Sequence, residues 1–257
     1  MCYYMKPLLL LAGIWCLTGC AVYMPMQNAA PDIRAQHESE VRASTFLSRG
    51  EASGAYSPLK HVLVRGAFGI RTDSGDSTFW RGRQYELAAG TYWAPRNWTL
   101  GVLGGVGQIR NQTRYRNDGQ IIFLGEPVQH EFDVRCNKLF GEAYALYEVS
   151  NRFSLGVSCR STRLYFTQLT DVGQPIDLRQ LTRAEPMLLM RFGLGDPYQG
   201  RRPVQLQLSV GGSATMGYDE RQPDPNYSRR QLRDSRSYVA LGVGILPHRL
   251  AALFRQP

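Results

Sequence analysis

The residues with chemistry to offer are few and widely spaced. Four histidines, His37, His61, His130 and His248, carry the side chains whose ordinary titration lies nearest neutral pH. Of these, His130 stands beside a long polar segment, where the base of a lipid hydrolase could reach a substrate. Acyl transfer would also require a serine and an acid within hydrogen-bond reach. Ser161 lies on the neighbouring predicted strand, but alternation turns it to the other face. The simpler reading of His130 is a loop histidine. Cysteine chemistry is equally sparse. Cys2, Cys16 and Cys20 fall near the start, leaving Cys136 and Cys159, which make no disulfide framework. Two distant cysteines and scattered histidines give no metal-ligand spacing. The run Gly101-Val102-Leu103-Gly104-Gly105-Val106-Gly107 matches neither a phosphate loop nor a dinucleotide fingerprint. In a strand such glycines serve bending and close packing. No catalytic residue and no cofactor is expected.

One stretch does point to a modification. Lys6 precedes an apolar run from Pro7 to Gly19, which closes on Leu17-Thr18-Gly19-Cys20. A membrane-spanning helix needs about 20 apolar residues, so this run is too short to be one. It resembles a bacterial lipoprotein signal, with Leu-Thr-Gly-Cys fitting the lipobox. The resemblance implies cleavage before Cys20 and attachment of lipid, including palmitate, to its sulfur. Met5 followed by Lys6 would make a more ordinary signal start than Met1-Cys2-Tyr3-Tyr4.

The rest of the chain must be organised by its strands. Hydrophobic residues make up 43% and no internal stretch approaches 18 uncharged apolar residues, which excludes a helical membrane protein. From Glu40 onward the pattern has period two. In 204–216, Val204, Leu206, Leu208, Val210, Ala214 and Met216 share one face, and Gln205, Gln207, Ser209, Ser213 and Thr215 the other. Such alternation marks a strand with one apolar and one polar side. It recurs in 84–93, 185–194 and 237–246. Strands are predicted at 40–48, 51–57, 61–72, 78–94, 98–114, 130–149, 153–169, 184–195, 203–218 and 235–247. Fusing the first two would leave nine, but bacterial single-chain barrels have even counts. Short turns alternate with long polar segments at 113–129, 170–182 and 219–235, the layout of an outer-membrane barrel. Closure also removes sheet edges.

The fold class expected is therefore all-β, an up-and-down antiparallel transmembrane-type barrel of about ten strands. It follows a signal peptide (1–19) and a lipidated tether with little regular structure (20–39). The barrel occupies 40–247, and 248–257 form a tail. Ten strands place both barrel ends on the short-turn side, where a tether from the inner leaflet would join.

Parity assigns Arg42, Arg65, Glu86, Lys138, Glu142, Glu148, Arg160, Glu185 and Arg191 to the interior. A narrow barrel fills its lumen with side chains, and buried charges must be paired. A salt-bridged filling is the simpler expectation; the sharper one is a selective conduit or binding site. The long loops are basic. Arg114, Arg116, Arg229, Arg230 and Arg233 could meet lipopolysaccharide phosphates or another anion. Against that, Asp219, Glu220, Asp224 and Asp234 offset much of the charge. Trp93, Trp98, Tyr147 and Phe153 sit beside short turns, where an interfacial girdle belongs. Cys136 and Cys159 are expected to lie roughly 20 Å apart on opposite faces, unbridged. The formal charge of +9 in an exported chain suggests anionic lipid rather than nucleic acid.

Tyr23-Met24-Pro25 after the lipobox, Glu40-Val41 opening a strand, and Gly54-Ala55-Tyr56-Ser57-Pro58 before a basic turn resemble a family of uncharacterised Bacteroidota outer-membrane β-barrel lipoproteins. That family implies a barrel at the outer membrane and supplies no catalytic residues. The sequence departs from common barrels in ending on Arg-Gln-Pro after Phe254 rather than on an aromatic residue. Three functions follow as expectations. The first is a monomeric, non-enzymatic lipid-anchored barrel in contact with outer-membrane lipid, structural or passing small solutes. The second is a barrel enzyme acting on lipids. The third is a soluble periplasmic barrel with Val and Leu rows turned inward around an apolar ligand.

Overall fold

The computed structural model describes residues 22–27, 30–46, 48–75, 78–117, 128–195 and 202–253. Alternation becomes strands β1 (Ser39–Phe46), β2 (Arg49–Tyr56), β3 (Val62–Ser74), β4 (Phe79–Trp93), β5 (Trp98–Asn117), β6 (Val128–Ser150) and β7 (Phe153–Asp171). A two-residue β8 (Gln174–Pro175) follows, then β9 (Gln180–Leu194), β10 (Val204–Thr215) and β11 (Arg236–Ile245). Every strand of the wall pairs antiparallel with its neighbours, β6 with β7 and β1 with β11 included. The result is a closed barrel of ten strands, β8 being a small ladder at the rim of β7. Phe46 pairs with Arg49, so the first two strands are separate, and Arg49 and Gly50, expected in the turn, already belong to β2.

The pleat sorts the side chains. Leu87, Val106, Leu139, Leu206, Leu241 and Val243 face outward, with Leu241 59% exposed. Gln207, Ser209, Arg191 and Glu142 face the lumen and are buried. The arrangement with apolar rows inside is thereby overturned. Trp98 and Tyr147 meet at a tilt beside the short turns with ring centroids 4.8 Å apart, and Phe153 meets Phe192 at 5.0 Å. Cys136 is buried and registers with Phe166, whereas exposed Cys159 registers with Ala143; both thiols are free.

Glycine has a specific use on β5. Gly101, Gly105 and Gly107 pair with Tyr144, Phe140 and Lys138 of β6. A methyl group at Gly101 would overlap the Tyr144 ring, and one at Gly105 the Phe140 ring. Missing side chains on one strand thus admit large ones from the next.

Three expectations need correction. Among the described residues the tether has no regular structure over 22–27 and 30–34, as read, but it does not hang free below the barrel. It runs through the lumen, where Val22, Met26, Ala30 and Ile33 are almost wholly buried. The stretch read as a polar loop at 219–235 contains helix α1 (Tyr227–Arg233), capped by Asn226, whose side chain accepts from the Arg229 N–H at 3.0 Å. The last strand ends at Ile245 rather than 247, and the tail begins as helix α2 (Pro247–Leu253).

Candidate functional site

The lumen holds the densest chemistry of the molecule. Inward positions on five strands bring ionised groups into one layer. Arg65 of β3 donates through both Nη atoms to the two oxygens of Glu142, at 3.0 and 2.9 Å. Arg160 of β7 donates to the same carboxylate through Nε and Nη2, at 3.1 and 2.7 Å. Its remaining Nη1 reaches Glu86 at 3.0 Å, and Lys138 Nζ meets that oxygen at 2.6 Å. Glu185 accepts from Tyr23 Oη at 2.7 Å and from Thr162 Oγ1 at 3.0 Å. The Arg160 guanidinium also lies 4.7 Å from the Phe140 ring centroid. Three cations, Arg65, Lys138 and Arg160, face three carboxylates, Glu86, Glu142 and Glu185. Such balance is what makes charges tolerable away from water.

A second layer lies nearer the short turns. Arg42 pairs with Glu40, Arg191 Nε donates to Gln207 Oε1 at 2.8 Å, and Arg191 Nη1 lies 3.9 Å from Glu40. Of the nine interior residues expected from parity, eight are buried in the lumen. Glu148 instead sits half-buried at the short-turn rim, paired with Arg34 at 3.1 Å, because β6 ends there.

Residues 22–34 complete these layers. A segment without a sheet partner must satisfy its backbone elsewhere, and the wall supplies the donors. Asn111 donates to the Val22 carbonyl at 2.5 Å, Gln84 to Met24 at 2.8 Å, Arg49 to Pro25, Arg160 to Met26 at 3.5 Å and Arg191 to Ala30 at 2.6 Å. The N–H groups of Gln27 and Asp32 donate to Glu51 at 2.9 Å and Glu40 at 2.7 Å. Gln27 bonds Ser209, and Thr99 donates to Asp32 at 3.0 Å. The direction is fixed by apolar contacts: Val22 clusters with Tyr115, Phe132 and Leu232 at the long-loop end, and Ile33 with Leu63 and Leu146 at the other. One cavity against this segment, lined by Val22, Met24 and Arg49, has about 30 Å³, room for a water but not for a solute.

Glu40, Arg49, Glu51, Asn111 and Arg183 were missed as lumen groups, whereas Gln84 shares the polar face that parity gives Glu86. Glu40 shares the parity of Arg42 and could have been found. Arg49 was assigned to a turn, and nothing local marks Gln84 or Asn111 as partners of a distant carbonyl.

The loop arginines are largely engaged. Arg114 meets Glu131 at 2.8 Å and lies over Phe79 at 4.9 Å. Arg229 and Arg233 share Asp224 at 3.1 and 3.0 Å, and Arg230 sits 5.3 Å from the Tyr227 ring centroid. Arg116 is exposed and also has a partner. His130 Nδ1 donates to Asp171 Oδ2 at 2.7 Å, and Ser228 Oγ donates to that same oxygen at 2.6 Å. Histidine and serine both spend themselves on one carboxylate, and no hydrogen bond joins them. With Tyr227 stacked at 4.4 Å, the group fastens α1 to the barrel mouth instead of forming a nucleophile and base. Ser161 faces outward, away from His130. Cys20 lies outside the described residues.

No protein-family model and no curated protein matches the chain. Among solved structures it is similar to the translocator domain of the autotransporter NalP from Neisseria meningitidis, at 11% identity and TM-score 0.41, covering 81% of this chain and 86% of that one. It is similar also to the β domain of the Bordetella autotransporter BrkA, at 11% identity and TM-score 0.38, over 81% and 97% of the two chains. The NanC porin follows at 11% identity and TM-score 0.30, over 81% and 98%. At these scores the likeness carries no functional inference.

Proposed function

We propose that the protein is a lipid-anchored outer-membrane β-barrel, non-enzymatic, whose lumen is closed by its own N-terminal segment, and that its role is structural rather than conductive. The observation that carries this reading is the pairing of an apolar outer wall with an ionised lumen already filled by residues 22–34. Polar groups facing hydrocarbon are expensive, and here they face inward and find partners. The wall has a single apolar band bordered by Trp93, Trp98 and Tyr147, as a bilayer requires. Passage of solutes, the other role considered, would require the segment to leave.

The lipidation expected at Cys20 gains a direction from this geometry. Two residues of chain reach at most about 7 Å, and Val22 clusters at the long-loop end. A lipid on Cys20 would therefore join the protein at the long loops, not at the short turns where the strand count alone had placed it. In an outer membrane the long loops face outward, so the anchor belongs to the outer leaflet.

Planar-bilayer recording of the purified full-length protein tests the central claim. Wild type should show no stable conductance steps. A variant with Tyr23→Ala, Gln27→Ala and Asp32→Ala loosens the segment without shortening the chain and should open in steps. Steady ion conduction by the wild type would refute the closed lumen.

A further inference from the structure

The outer wall carries one group of charges that the lumen chemistry does not use. Arg83 of β4, Arg110 of β5 and Arg135 of β6 are direct cross-strand neighbours, and Arg81 stands one row further toward the loops. All four are exposed, and among the described residues none has a salt-bridge or hydrogen-bond partner for its guanidinium. Elsewhere at this end arginines are paired, as Arg114, Arg229 and Arg233 are. Like charges directly opposite on adjacent strands destabilise a sheet, so three in one row need a counter-charge. Asp133 is the carboxylate within the cleft, and it already accepts from Gln168 at 2.9 Å. The arginines line a cleft of about 380 Å³ with Asp133 and Gln112, within the usual range of small-molecule sites.

Its height on the wall identifies the occupant. Trp93 and Trp98 mark the short-turn interface. Ten residues of β4 separate Trp93 from Arg83, and twelve of β5 separate Trp98 from Arg110. At about 3.3 Å per residue and a strand tilt near 40°, these stretches rise about 25–30 Å along the membrane normal. That is roughly one apolar band, so the row sits in the headgroup layer at the long-loop interface. Phe68 and Tyr85, in contact at 5.2 Å between centroids, lie just below as the aromatic border. Leu87, Val106 and Leu139 lie below those.

We propose that this arginine row binds the headgroup of a lipid carrying two phosphate monoesters in the leaflet at the long-loop end. Arg71 lines the same cleft, so five arginines less Asp133 leave four positive charges. Two phosphate monoesters, each about −1.5 to −2 near neutral pH, match that excess, whereas a single phosphodiester does not. Guanidinium forks also fit phosphate oxygens in pairs. The proposal rests on the membrane-barrel reading and would fall with it.

Native mass spectrometry of the full-length protein in nanodiscs tests it, with bisphosphorylated lipid A as probe and monophosphorylated lipid A and inorganic pyrophosphate as competitors. Wild type should retain one bisphosphorylated lipid and prefer it at least tenfold over the monophosphorylated form. Arg83→Gln/Arg110→Gln/Arg135→Gln should lose that preference while inserting normally, since these side chains hold nothing else. Equal retention by an inserted triple variant would overturn the site alone. Displacement of the lipid by equimolar pyrophosphate would overturn the lipid as occupant. Failure of wild type to insert, with the barrel remaining soluble, would overturn the membrane reading and this site together.

Discussion

Substituting Glu142 by Gln isolates what the lumen charges contribute. Glu142 is fully buried and accepts four hydrogen bonds, two each from Arg65 and Arg160. An amide keeps the shape but removes the charge, and it turns a donor toward two guanidinium groups that can only donate. Two arginines would then share Glu86 with Lys138, and the balance of three against three becomes three against two. Breaking a buried pair on one side costs about 3–5 kcal/mol, close to a thousandfold in the folding equilibrium at about 1.4 kcal/mol per decade. The assay is urea unfolding in lipid vesicles followed by tryptophan fluorescence, which Trp80, Trp93 and Trp98 report. The double variant Glu142→Leu/Arg65→Met removes one charge of each sign and leaves Arg160 and Lys138 with Glu86 and Glu185. It should be more stable than Glu142→Gln, because no charge is left without a partner. A loss under about 1 kcal/mol for Glu142→Gln, or a double variant weaker than the single, would refute the view that charge balance holds the lumen together.

Leu208→Arg places a cation on the outer wall between Met190 and Leu241 and should cost about 2–4 kcal/mol near the bilayer midplane, measured by the same unfolding assay. Sequence parity suggests that Arg would cost less at Ser209 if the interior accommodates its bulk. The structure reverses that expectation: Ser209 is fully buried against Gln27 and Gln207, so Ser209→Arg should disrupt the lumen and cost at least as much. At the short-turn rim, burial raises the Glu38 carboxyl, but its contacts with His248 and the Arg34 N–H outweigh this and hold its pKa below the ordinary value. A depressed carboxylate pKa stabilises the fold above its unfolded value, and the contribution is lost as pH falls through the folded one. Amide exchange at α2, which His248 ties to Ser39, should therefore quicken on acidification through that range, and Glu38→Gln should remove the dependence.

The wall was legible because a strand carries its own rule: each residue's face follows from its neighbours two positions away. Arg65, Glu86, Glu142 and Arg160 could be assigned inward from sequence, although which carboxylate meets which guanidinium depends on the stagger of the closed sheet. The plug was not legible. Residues 22–34 have no periodicity, and their partners come from β1, β2, β4, β5, β7, β9 and β10, brought around one axis only by closure. Helix α1 was hidden for a related reason. Its seven residues present one buried side chain, Leu232, too little for a periodic signal. The row formed by Arg83, Arg110 and Arg135 was equally invisible, since each arginine alone is an ordinary exposed residue and only the register makes them neighbours.

Because the plug directly precedes β1, and β1 meets β11 at the seam, the order of assembly is constrained. The contacts of this segment are among the most distant in the chain: Tyr23 to Glu185 spans 162 positions, Arg191 to Ala30 161 and Gln27 to Ser209 182. Contacts so remote form late and slow the search. A stretch made before any strand of the wall is thus among the last to find its place. It cannot be threaded easily into a finished cylinder whose lumen leaves space for little more than water. The strands must curl around it while β1 and β11 are still apart, so the N-terminal segment acts as a mandrel for the barrel, and the joining of Val41 to Ile245 locks it in.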